Sequence, residues 1–289
     1  MHAEGNRAIF DLYRLARSAA RATDDTDRGS DFTVDYTPGD RPVAVALLPA
    51  LFVGDWLWDP VWTALTEAGW PVVRFREAAS FIDRHTARSI GRLADSLLRA
   101  IRSVTDAPLV VCGDSLGAVI AIEFGRAYPG QVTGLVVSGA PGLDNVASAR
   151  LRSVIVGAHE PREIADRFFA LLVHEPQRLN IDMERYAELV ERLATVDSGA
   201  AMLAGLQAIR SYDVRGTIGE LAMPQLFVWG RQDQITPVEP WRDLVDSLPH
   251  ARLVEFDQCG HGPMFERPDD FYRELSHLLA DSVAALPPR

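Results

Sequence analysis

Three residues have the types and settings that nucleophilic catalysis requires, and the first of them is Ser115. It lies at the centre of GDSLG (residues 113–117), after the short apolar run LVVC and before an apolar-periodic helix. This is the strand-turn-helix setting of the G-x-S-x-G nucleophile elbow. A serine on so tight a turn has a strained backbone and tolerates only small neighbours, which accounts for the two glycines. The alternative is an ordinary Gly-Ser turn, which the flanking strand and helix disfavour.

A serine hydroxyl is a weak nucleophile at neutral pH, so Ser115 needs a base to accept its proton and a carboxylate to orient that base. Among the seven histidines, only His261 follows a predicted strand in a glycine-flanked loop. Asp233 lies in the loop after the preceding strand. We therefore predict a triad of Ser115 as nucleophile, His261 as general base and Asp233 as acid. Asp144 is the alternative position for the acid.

The elements that position this triad alternate between strand-like and helical segments from about residue 31 to the end of the sequence. Such alternation predicts an α/β fold with a mostly parallel sheet that helices cover on both faces. The predicted strands are Asp31–Tyr36, Val43–Leu48, Pro71–Phe75, Leu109–Cys112, Val132–Ser138, Gln225–Trp229 and Arg252–Phe256. The predicted helices are Trp58–Ala68, Thr86–Val104, Leu116–Tyr128, Glu239–Ser247 and Pro268–Val283.

Residues 142–223 interrupt this alternation, because they show helical periodicity and no convincing strand. The predicted helices of this segment are Arg162–His174, Met183–Thr195 and Ser198–Ser211. We predict a helical cap inserted into a core made of residues 31–141 and 224–289; the alternative is a helical subdomain with no role at the site. We predict that residues 1–30 form an N-terminal helical extension. Three roles are open for it: packing on the sheet edge, formation of a homodimer, or a mobile arm.

The composition narrows the classes of partner and cofactor. A net charge of −11 opposes binding to nucleic acid or to anionic membranes. No apolar stretch approaches the ~20 residues of a membrane helix, and the N-terminus is not a secretory signal, so we expect a cytoplasmic location. The two cysteines are predicted to be buried free thiols. The sequence has neither a His/Cys cluster nor a phosphate-binding glycine loop, so we predict no metal and no cofactor. The absence of lysine suggests a bacterial genome rich in G and C.

Taken together, the motifs resemble the α/β-hydrolase superfamily over roughly residues 43–279. The resemblance rests on GDSLG, on GRQDQITP (residues 230–237), on GHGPMFERPDDFYREL (residues 260–275) and on the tryptophan-containing WDPVW (residues 58–62). It implies the α/β fold, the three triad roles for Ser115, Asp233 and His261, and a cap formed by residues 142–223. The residues and the resemblance therefore predict the same triad.

The resemblance further implies an oxyanion hole of two backbone amides, for which we predict Leu51 and Leu116. The family usually has His-Gly after the first parallel strand, where this chain has Pro49-Ala50. It also lacks the Asp-x-x-Gly-x-Gly loop that many members carry after the next strand. We predict an apolar substrate pocket for an aromatic or acyl group, with core packing as the alternative for each of its residues: Phe52, Trp56, Phe168, Phe169, Leu172, Met202 and Met264.

The predicted function is hydrolysis of a carboxylic ester, thioester or lactone of a small, largely apolar molecule through an acyl-enzyme. The same triad also serves C–C bond hydrolysis, lyase or acyl-transfer chemistry, and a slow-turnover small-molecule receptor is a further alternative. A serine at the elbow argues against the activities of epoxide hydrolases and haloalkane dehalogenases, because those enzymes need a carboxylate nucleophile at that position. Asp114, next to the nucleophile, either pairs with an arginine, hydrogen-bonds the loop or influences the charge on His261.

Overall fold

A computed structural model of the chain describes residues 34–50, 53–75, 89–144, 150, 153–154, 161–179, 183–184, 186–187 and 207–287. Its strands form one sheet in the order β1-β3-β2-β4-β5-β6-β7. They are β1 Val34–Thr37, β2 Ala44–Leu48, β3 Val72–Phe75, β4 Leu109–Asp114, β5 Val132–Ser138, β6 Gln225–Gly230 and β7 Ala251–Phe256. Strand β1 pairs antiparallel with β3, and every other pairing is parallel.

Helices follow the strands along the chain and cover the two faces of the sheet. They are α1 Asp59–Glu67, α2 Ile90–Arg102, α3 Leu116–Ala127, α4 Pro161–Leu172, α5 Val214–Gly219, α6 Glu239–Asp246, α7 Pro263–Glu266 and α8 Pro268–Ala284. Two short 3-10 helices, Asp55–Trp58 and Pro176–Arg178, complete the described elements. Of the described helices, none combines the length and apolarity that crossing a membrane requires.

The core consists of two apolar clusters, one on each face of the sheet. Alternate residues of β2 belong to opposite clusters, as expected when successive side chains of a strand point to opposite faces. Ala44 packs in the cluster with α2 and α3, and Val45 packs in the cluster with α1 and α8. Because both faces are covered, β2, β4 and β6 are buried along their whole length, and each is a continuous apolar run apart from Asp114 at the end of β4 and Gln225 at the start of β6.

The predicted fold class is confirmed, and the predicted strands all lie in the sheet. Within the described residues their ends agree with the structure to within two positions. Strand β4 extends two residues beyond Cys112, so that Asp114 still belongs to the strand and Ser115 follows it directly. The structure adds two short helices that the sequence did not predict, α5 and α7.

The long segment between β5 and β6 contains only helices and turns where it is described. Helix α4 corresponds to the predicted helix Arg162–His174, and residues 207–210 at the end of the third predicted helix are helical. Most of Met183–Thr195 and of Ser198–Ser211 lies outside the described residues, as does the predicted N-terminal extension. The division into a core and a cap therefore stays a prediction.

Candidate active site

Ser115 occupies the tight turn between β4 and α3. Its backbone has φ 54° and ψ −119°, a conformation with positive φ that non-glycine residues rarely adopt. The Ser115 N–H donates to the Ser138 carbonyl at 2.9 Å, which joins the turn to the end of β5. Such strain persists only where the surroundings enforce it, and it places this serine at the carboxyl edge of the parallel sheet.

The two glycines of the turn are required by close backbone contacts. A Cβ on Gly113 would lie 2.4 Å from the carbonyl oxygen of Gly117, and a Cβ on Gly117 would lie 2.7 Å from that of Pro49. Neither site has room for a side chain, so the G-x-S-x-G spacing follows from how closely β4, α3 and the chain after β2 approach. Leu116 is the first residue of α3, where the backbone N–H has no partner within the helix.

Asp233 and His261 form a buried hydrogen-bonded pair at the same edge of the sheet. His261 Nδ1 lies 2.8 Å from Asp233 Oδ2, and both side chains are almost completely buried. The other oxygen, Asp233 Oδ1, accepts the backbone N–H groups of Ile235 at 2.8 Å and Thr236 at 2.9 Å. These bonds fix the carboxylate and leave Nε2 as the ring nitrogen available for chemistry.

The Thr236 hydroxyl contacts both members of this pair, and the sequence did not indicate it. Its Oγ1 lies 2.9 Å from Asp233 Oδ2, 3.1 Å from His261 Nδ1 and 3.0 Å from the Gly139 carbonyl oxygen. It therefore joins the loop after β6, the histidine loop and the end of β5. The only available signal was its place three residues after the acid, where an Asx-type turn brings residue i+3 back to the carboxylate.

The histidine loop is held by Glu266, another residue that the sequence did not single out. Its carboxylate accepts backbone N–H groups of Gly260 at 2.9 Å, of Gly262 at 3.4 Å and of His174, beyond the end of α4, at 2.8 Å. The His261 N–H donates to the Leu172 carbonyl at 2.8 Å. The loop that carries the predicted base is thus hydrogen-bonded to the C-terminal end of α4.

Charge and burial act against each other at His261. Burial alone lowers the pKa of the imidazole, but the charge and hydrogen bond of Asp233, with the charges of Asp114 and Glu266, outweigh it and raise the pKa of His261 to about 9. Burial raises the pKa of the Glu266 carboxyl to about 7, although its backbone N–H donors work in the opposite direction. The site thus favours a protonated ring.

Two other aspartates were considered near the site: Asp114, next to the nucleophile, and Asp144, the alternative position for the acid. Burial raises the pKa of Asp114 to about 7, although the neighbouring His261 lowers it. The backbone N–H of Ser115 in the turn also lowers this pKa, and no arginine pairs with either oxygen of Asp114 within the described part of the chain. Asp144 is exposed, and the carboxylate that binds His261 is that of Asp233.

Five of the seven predicted pocket residues lie in one buried apolar cluster beside the histidine loop. They are Trp56, Phe168, Phe169, Leu172 and Met264. The ring of Trp56 stacks near that of Phe169, with centroids 6.5 Å apart, and meets Phe265 edge-on at 5.0 Å. The two other predicted pocket residues, Phe52 and Met202, and the predicted oxyanion residue Leu51 lie outside the described residues.

Cys112 and Cys259 are buried free thiols, as predicted, and burial raises the pKa of both. Such thiols are protonated at neutral pH and are poor nucleophiles. Within the described ranges, no three His, Cys, Asp or Glu side chains are grouped so as to hold a metal ion. The groups that this edge of the sheet presents for chemistry are a hydroxyl, an imidazole and a carboxylate, the set required for acyl transfer.

Known proteins of similar sequence are esterases and hydrolases. Residues 92–268 match the family described as serine aminopeptidase, S33. The pimeloyl-[acyl-carrier protein] methyl ester esterase of Aromatoleum aromaticum is 30% identical over 178 residues, which cover 56% of this chain and 70% of that protein. The 2-hydroxy-6-oxo-6-phenylhexa-2,4-dienoate hydrolase of Comamonas testosteroni is 23% identical over 261 residues, covering 84% and 90%.

Solved structures repeat the fold at lower sequence identity. The enol-lactonase from Burkholderia xenovorans LB400 aligns with a TM-score of 0.69 and 18% identity, covering 86% of this chain and 96% of that one. A likeness at this level of identity speaks for the fold alone, because one fold supports many reactions. The sheet and its flanking helices are therefore those of a known architecture.

Proposed function

The chain belongs to the α/β-hydrolase family, and we propose that it cleaves a carboxylic ester, thioester or lactone of a small, largely apolar molecule through an acyl-enzyme. The observation that carries this proposal is the buried pair of Asp233 and His261, 2.8 Å apart, at the sheet edge where Ser115 occupies a strained turn. We assign Ser115 as nucleophile, His261 as general base and Asp233 as the acid that orients the base.

In the proposed mechanism, Ser115 Oγ attacks the substrate carbonyl while Nε2 of His261 accepts the hydroxyl proton. Asp233 holds the proton on Nδ1, which fixes the tautomer and stabilises the imidazolium. The oxyanion accepts hydrogen bonds from the backbone N–H groups of Leu116 and Leu51. The tetrahedral intermediate collapses as His261 protonates the leaving group, and a water molecule activated by His261 then releases the acid from Ser115.

The apolar cluster beside the histidine loop supports an apolar acyl or aromatic group in the substrate. Trp56 comes from the 3-10 helix after β2, Phe169 from α4, and Met264 from α7, so three separate segments meet there. We propose that residues 142–223 form a cap over this pocket, because the end of α4 is hydrogen-bonded to the loop of the base. Burial of apolar area is the main source of affinity for such groups.

The relatives support two reactions on a carbonyl group. The Aromatoleum protein is named for cleavage of a methyl ester, and the Comamonas protein for hydrolysis of a 2-hydroxy-6-oxo dienoate. The second reaction is the alternative function, and its support is that the Comamonas protein aligns with 84% of this chain. Both reactions use the same attack on a carbonyl, so the residues described above do not separate them.

The test of the proposal is covalent labelling together with turnover. A fluorophosphonate probe should label wild-type protein at Ser115, and Ser115→Ala should lose both the label and more than 99.9% of ester hydrolysis, since a triad member typically contributes more than about 10³-fold. The melting temperature of Ser115→Ala should match that of wild type, because only one oxygen is removed. Labelling at another residue, or retained activity in the folded variant, would contradict the assignment.

A substrate panel then separates the two reactions and the receptor alternative. Aryl and alkyl esters of increasing acyl length, lactones and a 2-hydroxy-6-oxo dienoate are compared by kcat/KM. Preference for esters or lactones supports the main proposal, and preference for the dienoate supports C–C hydrolysis. Tight binding of a panel member with labelling of Ser115 but negligible turnover would indicate a receptor.

A further inference from the structure

Asp114 is a charged group near the site to which the proposed mechanism gives no role. It is completely buried at the end of β4, and no side chain of the described residues donates a hydrogen bond to its two oxygens, although the adjacent Ser115 N–H lowers its pKa. Its neighbour in the parallel ladder, Ser138, has a buried hydroxyl that is also without a partner in that part of the chain. A buried carboxylate without hydrogen bonds is costly unless a nearby positive charge compensates it.

The imidazole of His261 supplies such a charge whenever it is protonated. A Cβ built on Gly139 would lie 2.6 Å from His261 Cε1 and 3.2 Å from Asp114 Oδ1, so these two atoms are less than 6 Å apart. Because residue 139 is a glycine, it contributes no side chain to the space between them. Asp114 and the Nδ1–Cε1 side of the ring therefore border the same space beside Gly139, and Asp233 binds the ring at Nδ1.

We infer that Asp114 is a second carboxylate for His261, which stabilises the imidazolium across the Cε1 edge of the ring. Asp114 acts through His261 and does not touch the substrate, so it is a positioning residue and not a catalytic one. The inference rests on the proposed role of His261 as general base. When Ser115 transfers its proton, the charge that develops on the ring lies between two carboxylates, which lowers the energy of the ion pair.

The charged groups that face His261 come from three elements. They are Asp233 in the loop after β6, Glu266 at the end of α7 and Asp114 at the end of β4. Three backbone N–H groups donate to the carboxylate of Glu266, whereas near Asp114 the described donor is the adjacent Ser115 N–H. Because the pKa of Asp114 is about 7 and that of His261 about 9, Asp114 is ionised over the range in which the ring loses its proton.

The first experiment measures the pKa of His261 directly, by NMR titration of protein with ¹³Cε1-labelled histidine. The His261→Gln variant assigns the resonance. Asp114→Asn should lower the pKa of His261 by roughly one to two units, the effect of a unit charge about 6 Å away at an effective dielectric constant of about 20. Ser138→Ala is the matched control, because it removes an equally buried, uncharged polar group in the same register, and it should leave this pKa unchanged.

The second experiment follows the rate at which a fluorophosphonate modifies Ser115 as a function of pH. Asp114→Asn should react more slowly than wild type at high pH, because its neutral imidazole is a weaker base. At acidic pH the deficit should shrink or reverse, because more of the variant's imidazole is neutral there. A purely structural role of Asp114 would lower the rate by one factor at all pH values.

These two readouts separate the inference from the proposed function. An unchanged pKa of His261 in folded Asp114→Asn, or equal shifts in Asp114→Asn and Ser138→Ala, would overturn the role of Asp114. Failure of wild-type Ser115 to react with the probe would overturn the proposed function, and the NMR titration would still decide the role of Asp114. If the Asn variant does not fold, Asp114→Ala repeats the titration, since it leaves no amide to bury.

Discussion

His261 is nearly inaccessible to solvent, and the charges that face it are negative. Burial opposes the imidazolium, whereas the hydrogen bond and charge of Asp233, helped by Asp114 and Glu266, favour it more strongly and raise the pKa to about 9. A base with a raised pKa accepts the serine proton more readily once it is neutral, but it is protonated over a wider range of pH. In the proposed mechanism, His261 is therefore a stronger base at high pH and is inactive over more of the acid range.

The first prediction concerns the pH dependence of the reaction. General-base catalysis needs neutral His261, so kcat/KM for a chromogenic ester should rise with pH through a midpoint above the ordinary histidine value of about 6.5. The midpoint reports the free enzyme, in which the ring pKa is raised. A pH-rate profile between pH 5 and 10 measures it. A midpoint below 6.5 would mean that burial outweighs the carboxylates.

The second prediction concerns Thr236, which joins the acid, the base and the end of β5. Thr236→Val keeps the shape of the side chain and removes the hydroxyl that lies 2.9 Å from Asp233 Oδ2. We expect kcat to fall about tenfold with little change in KM, the equivalent of one weakened hydrogen bond of about 1.4 kcal/mol. Thr236→Ser retains the hydroxyl and is the control. A loss of kcat in Thr236→Ser as large as that in Thr236→Val would contradict a specific role of the hydroxyl, because serine retains it.

At the scale of elements, the histidine loop and α4 are joined through a few polar contacts. Glu266 accepts N–H groups of Gly260 and His174 on its two oxygens, and His261 donates its N–H to the carbonyl of Leu172. Movement of the end of α4 would therefore move the loop that carries the base. We expect the proposed cap to influence catalysis through this connection as well as through the pocket it covers.

The third prediction tests that connection with Glu266→Gln. A glutamine has a single acceptor oxygen, so either the Gly260 or the His174 N–H loses its partner, and the free energy of unfolding should fall by about 1–3 kcal/mol. We also expect kcat to fall, and by more than the loss of folded protein accounts for, because the loop that carries His261 is released. Urea denaturation and steady-state kinetics measure both quantities.

The control for this variant is Glu274→Gln. Glu274 lies on the neighbouring helix α8, and its partners Arg252 and Arg273 are both at least half exposed, so its loss should change stability by less than about 1 kcal/mol. Normal kcat and stability in Glu266→Gln, or an equal response of both variants, would contradict a special role for Glu266.

The elements that the sequence revealed are those with a local signature. Parallel strands buried on both faces are continuous apolar runs, so β2, β4 and β6 were predicted nearly to the residue. The antiparallel pairing of β1 with β3 was not predicted, because strand direction at an edge depends on the path of the chain and leaves no local pattern. Helix α7 has four residues, too few to show a period.

The site divides in the same way. Ser115, Asp233 and His261 were identified because each lies in a motif that follows a strand, and the structure does bring Asp233 and His261 together. The contacts of Glu266 with His174 span 92 positions, and those of Thr236 with Gly139 span 97, so no local pattern predicts them. The sequence could not decide among the three roles considered for Asp114 for a related reason: local sequence does not report which groups share a buried space.

At the scale of the whole molecule, two classes of carboxylate give opposite dependences of stability on pH. Glu123 and Glu255 are paired with arginines, which lower their pKa against the effect of burial, so their contribution to stability is lost as pH falls through the acid range. Asp114 and Glu266 are buried near the site and have raised pKa values. Their contribution is present at low pH and is lost as pH rises. Ionisation of these two carboxylates therefore lowers the stability of the fold, whereas the raised pKa of His261 acts in the opposite direction below pH 9.

The fourth prediction makes this cost measurable at Asp114. Its pKa is about 3.9 in the unfolded chain and about 7 in the folded protein, so ionisation penalises folding by up to about 1.4 kcal/mol for each pH unit between those values. Asp114→Asn does not ionise and escapes this penalty. We therefore expect the variant to gain stability over wild type as pH rises from 4 to 7.

Urea denaturation of wild type and Asp114→Asn at pH 5, 6, 7 and 8 tests this trend, and Ser138→Ala shows how much a neighbouring buried polar group changes by repacking alone. A stability difference that grows with pH for Asp114→Asn and stays constant for Ser138→Ala agrees with a buried carboxylate whose pKa is raised in the folded protein. A difference independent of pH in both variants would mean that Asp114 titrates in the folded protein as it does in the unfolded chain. Because we expect the same substitution to weaken His261 as a base, the stability that it adds should come with a loss of activity at high pH, the trade-off expected where a catalytic site holds charge away from water.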